Sequence, residues 1–538
     1  MNNLAHFLNI LIVSEFLYNI RDLFVYNIKN PLLFNSGTFF ILFVVFLIIY
    51  TFLSKRRLIH TLWVILFSFF FYYKSSGWYF VIPMTAAILD WGLAWLIWRA
   101  KKKSQKNAVL LFAIIFNLGL LAYFKYTNFI FGNFYEILGK NFQPWDIFLP
   151  IGISFHTFQS ISYMLDVYWK KIEPCKNILD YAFFLSFFPQ LVAGPIVKAS
   201  HFLPQLKKDL KVSKELVYSG IWLIMIGLIK KAVIADYISQ YNDLVFASPD
   251  TYSGFENLMA IYGYTLQIYC DFSGYSDIAI GLARIMGFDF GLNFNFPYKA
   301  LNITDFWRRW HISLSSWLRE YLYIPLGGSK KGKWKTYRNL MLTMLLGGLW
   351  HGANWKFVFW GAMHGIGLAI HKASKKVLDK IPNNIFSNSF AWFFTFHFVI
   401  FLWIFFRTTD IKKEYVTIEV VNGTEQEVVK TETIDAFKVS WMMIDRIFTN
   451  WDGLQDIDTN ELAEATTIDP NSETYTQIIE NVTDIKQDDQ SQKSGIIYNF
   501  LSVRYVWFIL MIIGFLMHAS PTKWNEKIIN GFIKSPYI

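Results

Sequence analysis

Cysteine is almost missing from this chain: Cys175 and Cys270 are the two in 538 residues, too few for a disulfide framework and a poor basis for a metal site. Charge is scarce as well. Asp, Glu, Lys and Arg make up 17%, against 54% hydrophobic residues and 19% aromatics, a balance that does not fit a water-facing surface and places the bulk of the chain in lipid. Several enzyme signatures are absent: there is no Gly-x-Ser-x-Gly elbow, no His-Glu-x-x-His helix and no Gly-x-x-x-x-Gly-Lys loop completed by serine or threonine, so hydrolase, zinc-protease and nucleotidase readings lack their minimum parts. No fixed-period repeat is present, which leaves solenoids and propellers unsupported and argues against a transporter or flippase built from two related halves.

What is present is a series of apolar runs near the 17 to 25 residues that a membrane helix needs. The clearest are Thr38 to Leu53, Leu58 to Tyr73, Trp78 to Trp98, Ala108 to Phe131, Asp146 to Trp169, Leu216 to Tyr237, Leu258 to Met286, Asn339 to His364, Phe390 to Phe406 and Tyr505 to Met517. With the segment Leu179 to Phe202, broken by Pro189, Gly194 and Pro195 and therefore read as a re-entrant hairpin, they predict an all-α polytopic membrane protein of about 11 to 12 transmembrane or re-entrant helices. Residues 1–30 read as an amphipathic interfacial segment without the basic residues that precede a signal-peptide core. Residues 31–409 form the helical core, and 496–538 a last membrane helix and basic tail.

Lysine and arginine set the orientation. Lys55 to Arg57, Arg99 to Lys106, and Lys170 with Lys171 mark cytoplasmic loops. The net charge of +10 is scattered beside apolar helices, which fits anionic lipid and excludes the single basic face of a nucleic-acid binder. Residues 410–495 reverse the pattern, with 19 acidic against 7 basic residues. This stretch reads as a soluble, extracytoplasmic insertion. Within it Val416 to Val421 and Glu427 to Ile434 flank Asn422-Gly423, a hairpin signal. Asp456, Asp458 and Asn460 imitate a calcium loop but lack its glycine, which is Glu461 here.

Ionisable groups inside apolar spans are costly, so they mark candidate chemistry. Three blocks hold most of them. The first contains Asp271, Ser273, Tyr275 and Asp277. The second contains Trp307, Arg308, Arg309, His311, Ser315 and Arg319; if one continuous helix, it sets His311, Ser315 and Arg319 along one side, though the spacing alone favours an interfacial amphipathic helix. The third contains Trp350, His351 and, one turn on, Asn354, with small residues around the histidine. Position alone also permits a buried structural histidine. Chemistry favours His351, because an imidazole near neutral pH can take a hydroxyl proton and return it to a leaving thiolate.

These blocks, with Leu149 to Tyr168, Phe188-Pro189-Gln190-Leu191-Val192-Ala193-Gly194-Pro195-Ile196 and Phe405-Phe406-Arg407, resemble the membrane-bound O-acyltransferase superfamily, and most of all its alginate O-acetyltransferase type. The resemblance covers about Asn30 to Arg407; the 410–495 insertion has no counterpart in it. It implies His351 as the catalytic histidine and His311 as its partner, in a ring of helices around a central funnel. Asn354, Asp271, Ser273, Tyr275, Asp277, Trp307, Arg308, Arg309, Ser315, Arg319 and Trp350 are then expected to line the substrate path. The expected donor is acetyl-CoA or another acyl thioester, such as an acylated carrier protein, drawn in by Lys198, Lys207, Lys208, Lys330, Lys331 and Lys333. No permanently bound cofactor or metal is expected. The acceptor is expected to be an exported polysaccharide, reached directly or through an extracytoplasmic acyltransferase partner, at a bacterial cytoplasmic membrane. D-alanyl transfer to teichoic acid and O-acetylation of peptidoglycan are the neighbouring alternatives.

Overall fold

The computed structural model describes residues 23–29, 31–191, 194–207, 212–421, 424–451, 496–520, 527 and 531. The chain divides into two compact units: one comprises the residues up to Ala232, Asp271–Trp392 and the tail from Ser520; the other comprises Val233–Cys270 and Phe393–Ala519.

The first unit is helical throughout. Its opening helices, α1 (Gly37–Leu53), α2 (Arg57–Ser76), α3 (Val81–Arg99), α4 (Lys103–Leu121) and α5 (Thr127–Ile137), follow the apolar runs closely. The buried faces of α1 to α4 meet in a phenylalanine-rich core in which Phe34, Phe39, Phe46, Phe71 and Phe188 are fully buried. Polar side chains inside it are partnered in ways that tie helices together. Asp90 on α3 accepts from Asn117 Nδ2 on α4 at 3.0 Å and from Tyr181 Oη at 3.3 Å. Such interhelical bonds replace the water that lipid cannot supply.

The expected span Asp146 to Trp169 begins late, because Gly152 adopts φ 80° and α6 runs only over Ile153–Tyr168. The broken segment is as the prolines predict: α7 (Ile178–Ser186), the single turn α8 (Phe188–Leu191) and α9 (Ala199–Leu206) are short, and most of their residues are buried. Next, α10 (Lys214–Leu228) crosses the long helix α12 (Gly254–Ile285), which the second-unit helix α11 (Asp236–Ala247) precedes in sequence, at two glycine pairs. A Cβ on Gly227 would stand 2.6 Å from Gly274 O, and one on Gly281 2.5 Å from Gly220 O. Only glycine allows so close a backbone approach.

Two expected continuous helices are interrupted. The block 305–323 is α13 (Ile303–Arg309), a break at Trp310 and His311, α14 (Ile312–Trp317), and a π-helical turn over Leu318–Tyr323. Asn339 to His364 is not one span but the hairpin of α15 (Lys333–His351) and α16 (Trp355–Leu378), turned by Gly352 to Asn354. The two helices are antiparallel and close, with a Cβ on Gly348 placed 3.0 Å from Gly361 Cα and one on Gly365 3.0 Å from Met341 Sδ. A hairpin returns the chain to the side from which it left.

In the second unit, α17 (Ile385–Arg407), shared across the boundary, leads into β1 (Ile411–Val421) and β2 (Thr424–Ile434). The strands pair antiparallel, with Val421 opposite Thr424, which bears out the expected hairpin and extends it. Helices α18 (Ala436–Thr449) and α19 (Ile496–Ala519) complete the unit. The stretch holding Asp456, Asp458 and Asn460 lies outside the described residues, as do residues 1–22 of the expected amphipathic segment. Among the described residues four helical stretches are long and apolar enough to cross a membrane, and two shorter helices are apolar.

Candidate active site

Helix α15 ends on His351 because Gly352 is extended and Asn354, with its Oδ1 accepting from Lys356 N at 3.0 Å, caps the next helix. Asn354 therefore does not follow His351 on one helical face, as the sequence spacing implied. The half-buried His351 ring stands between two tryptophans, 4.9 Å from Trp350 and 5.2 Å from Trp360, edge-on to both. Trp360 is fully buried and passes the contact to His364, 4.5 Å away. His311, Lys125 and His364 all lie within electrostatic reach of His351.

His311 is presented by strained backbone. It has φ 43° and ψ 57°, a left-handed conformation rare for a residue of its size. Asn293 holds it there: its carbonyl accepts from Ile312 N at 2.8 Å, and its Oδ1 accepts from Ser313 N at 3.2 Å and Ser313 Oγ at 2.8 Å. Its Nδ2 donates to Ser276 Oγ at 3.0 Å, which links the first block to the second. The buried imidazole sits edge-on to Phe272 at 4.6 Å, and its centroid is 6.0 Å from that of Trp350. Among the described residues neither ring nitrogen has a hydrogen-bond partner, a costly state for buried polar atoms unless substrate or water meets them. Beneath, Phe158 stacks on Trp317 at 3.9 Å and on Trp350 at 5.4 Å.

Beside this centre opens a cleft of about 920 Å³ lined by Trp307, Arg308, Ser315, Arg319, Lys330, Lys331, His371, Lys372, Lys375 and Asp379, among others. Six permanent cations face one carboxylate, so the cleft favours an anionic guest. Its rim includes Gly327 and Gly328, both at positive φ, just before α15 begins. His371, beyond the apolar stretch, has its imidazole held below the ordinary range by burial, with the Lys375 charge adding to the effect and Asp379 opposing it. Its Nδ1 is 2.8 Å from Thr304 Oγ1. Trp307 connects cleft and centre, lining the one and donating through Nε1 to His364 Nδ1 at 3.3 Å in the other. His351 itself does not line the cleft; Met344, which does, lies two turns earlier on α15, about 10 Å along its axis.

Several expected residues lie elsewhere. Asp271 and Asp277 form ion pairs with Lys231 at 2.6 Å and Lys230 at 2.7 Å, beside the glycine crossing of α10 and α12. Tyr275 is stacked on Phe34 at 4.8 Å in the main core. Ser273 is buried on the same helix. Arg309 pairs with Asp305 at 2.8 Å and is not among the cleft residues. None of these five lines the cleft. Of the six donor-attracting lysines, Lys330 and Lys331 line the cleft; Lys198 is paired with Glu320 at 2.7 Å, Lys207 and Lys333 are exposed elsewhere, and Lys208 lies outside the described residues. The sequence reading missed His364, Trp360, His371 and Lys125. A spacing that pointed to the cleft was present in Gly327 to Gly332-Lys333, where Trp334 stands in the place of the hydroxyl residue.

Residues 175–409 match the membrane-bound O-acyltransferase family. The chain is 39% identical over 387 residues to the peptidoglycan O-acetyltransferase of Helicobacter pylori, covering 67% of this chain and 73% of that one. The chain belongs to the membrane-bound O-acyltransferase family. A similar likeness, 40% over 387 residues, holds to the probable alginate O-acetylase AlgI of Pseudomonas aeruginosa, with 71% and 73% covered. The teichoic acid D-alanyltransferase of Bacillus subtilis is 31% identical over 273 residues, 48% of this chain and 68% of the relative. As a member of this family the chain is a multi-pass membrane O-acyltransferase, and the two histidine blocks fall within the family match.

Proposed function

We propose that this O-acyltransferase moves an acetyl group from a cytoplasmic thioester, acetyl-CoA or an acylated carrier protein, to a hydroxyl of an exported cell-envelope polysaccharide, directly or through an extracytoplasmic acyltransferase. The observation that carries the reading is the junction of a basic cleft with a histidine centre through Trp307 and His364. The donor's phosphates rest against Lys330, Lys331, Arg319 and Lys375 while its thioester reaches inward. His351 takes the proton of the incoming hydroxyl, the oxygen forms its bond to the acyl carbon, the carbon–sulfur bond breaks, and the proton passes to the departing thiolate. His311, 6.0 Å from the Trp350 ring and within electrostatic reach of His351, meets the acyl or acceptor oxygen. The names of the two O-acetylase relatives support acetyl as the cargo and a polysaccharide or peptidoglycan as the acceptor.

The test supplies purified chain in proteoliposomes with radiolabelled acetyl-CoA and, separately, alginate-type polyuronate, peptidoglycan strands and lipoteichoic acid. Label on one acceptor identifies it. Label on the protein alone indicates relay to a partner, and D-alanine in place of acetyl as the accepted cargo would contradict the proposal.

A further inference from the structure

A helix that ends at a reactive side chain leaves its last carbonyls without partners inside the helix. In α15 those include the carbonyls of Leu349 and Trp350, immediately before His351. Both are met by one turn of another rod: Tyr126 Oη donates to Leu349 O at 2.9 Å, and Lys125 Nζ donates to Trp350 O. Lys125 also stands 5.6 Å over the Trp350 ring and 3.4 Å from Ser154 Oγ.

The turn that carries both donors is not α-helical. Residues Ala122–Tyr126 form a π-helical turn between α4 and α5, a local widening that re-aims side chains and is found disproportionately at functional sites. Lys125 lies inside one of the longest apolar stretches of the chain, Lys103–Ile137. An ammonium there is expensive for folding, and an apolar residue of the same length would serve the helix better. The charge is spent instead on the end of the helix that bears His351, where a cation also complements the helix dipole.

We propose that Lys125 and Tyr126 are positioning residues: they cap the end of α15 and fix the direction in which His351 and Trp350 face the acyl group. The inference rests on the reading of His351 as the catalytic base. It separates this pair from the cleft cations, which bind donor, because a cap acts on turnover and not on donor affinity.

The experiment compares acetyl transfer by full-length parent, Lys125→Met, Lys125→Arg, Tyr126→Phe and His351→Ala in proteoliposomes, with thermal unfolding of each in detergent. Lys125→Met is expected to unfold no earlier than the parent yet lose about 100-fold in kcat, the effect of a small misplacement of a reacting group, with KM for acetyl-CoA held. Lys125→Arg, which keeps the donor, should recover most of that loss, and Tyr126→Phe should cost about tenfold in kcat. Two results overturn the cap while leaving His351 in place: inactive His351→Ala beside a parental kcat in both Lys125→Met and Tyr126→Phe, or a loss in Lys125→Met that appears wholly in KM. A His351→Ala variant that turns over at the parental rate overturns the catalytic reading itself. If Lys125→Met does not fold, Tyr126→Phe decides: a parental kcat in that variant overturns the cap.

Discussion

His311 is held where its backbone is least comfortable, and the cost of that strain, of order 1 to 3 kcal/mol, makes it a sharp probe. Replacement by asparagine, which tolerates the left-handed region, should leave a folded protein with transfer lost; replacement by alanine should lose transfer and some stability together. Circular dichroism melts beside an acetyl-transfer assay distinguish the two. Asn293 supports this turn through four hydrogen bonds. Asn293→Leu should lower stability by about 2 to 3 kcal/mol because it leaves buried donors unpaired. A melt unchanged by Asn293→Leu would mean the turn is held by other contacts.

Among the elements, the α15–α16 hairpin and the cleft make separable claims. Gly361→Leu forces a side chain into the Met344 carbonyl and should destabilise by about 1 to 3 kcal/mol or more, as overpacking does. The loss would appear as reduced folded yield by fluorescence-detected gel filtration. Reversing charge in the cleft with Lys330→Glu and Lys331→Glu should raise KM for acetyl-CoA with little change in kcat. The effect should shrink as salt rises toward about 1 M, where screening is nearly complete over a few ångströms. A salt-independent KM would exclude long-range attraction.

This scale also shows what the sequence could tell. Apolar length located most of the long helices, though it merged α15 and α16 into one, and Asn422-Gly423 located the hairpin, because both signals are local. The breaks at His311 and Gly352 were not legible: His311 carries a side chain that usually avoids positive φ, and only the tertiary hold of Asn293 permits it. Asp271 and Asp277 stood out because intramembrane charge is rare; nothing local revealed their pairing with Lys231 and Lys230. His351 was legible through its small neighbours and its family-like block. Lys125, far off in sequence, was not.

For the whole molecule, the distribution of lysine and arginine predicts topology. Cys175 and Cys270 are both buried, so single cysteines introduced elsewhere report without background. Lys102→Cys should be modified by a membrane-impermeant maleimide only after the cells are opened, and Thr424→Cys should be modified in intact cells. The opposite pattern would invert the orientation, place the 410–495 insertion in the cytoplasm and remove the basis for an extracytoplasmic acceptor or partner at that end.

The most direct measurement is ester-linked acetate on the envelope polysaccharide of cells whose only copy of the gene encodes His351→Ala, expressed and membrane-inserted at the parental level. The account predicts acetate at the level of the gene deletion. Acetate at the parental level would contradict it.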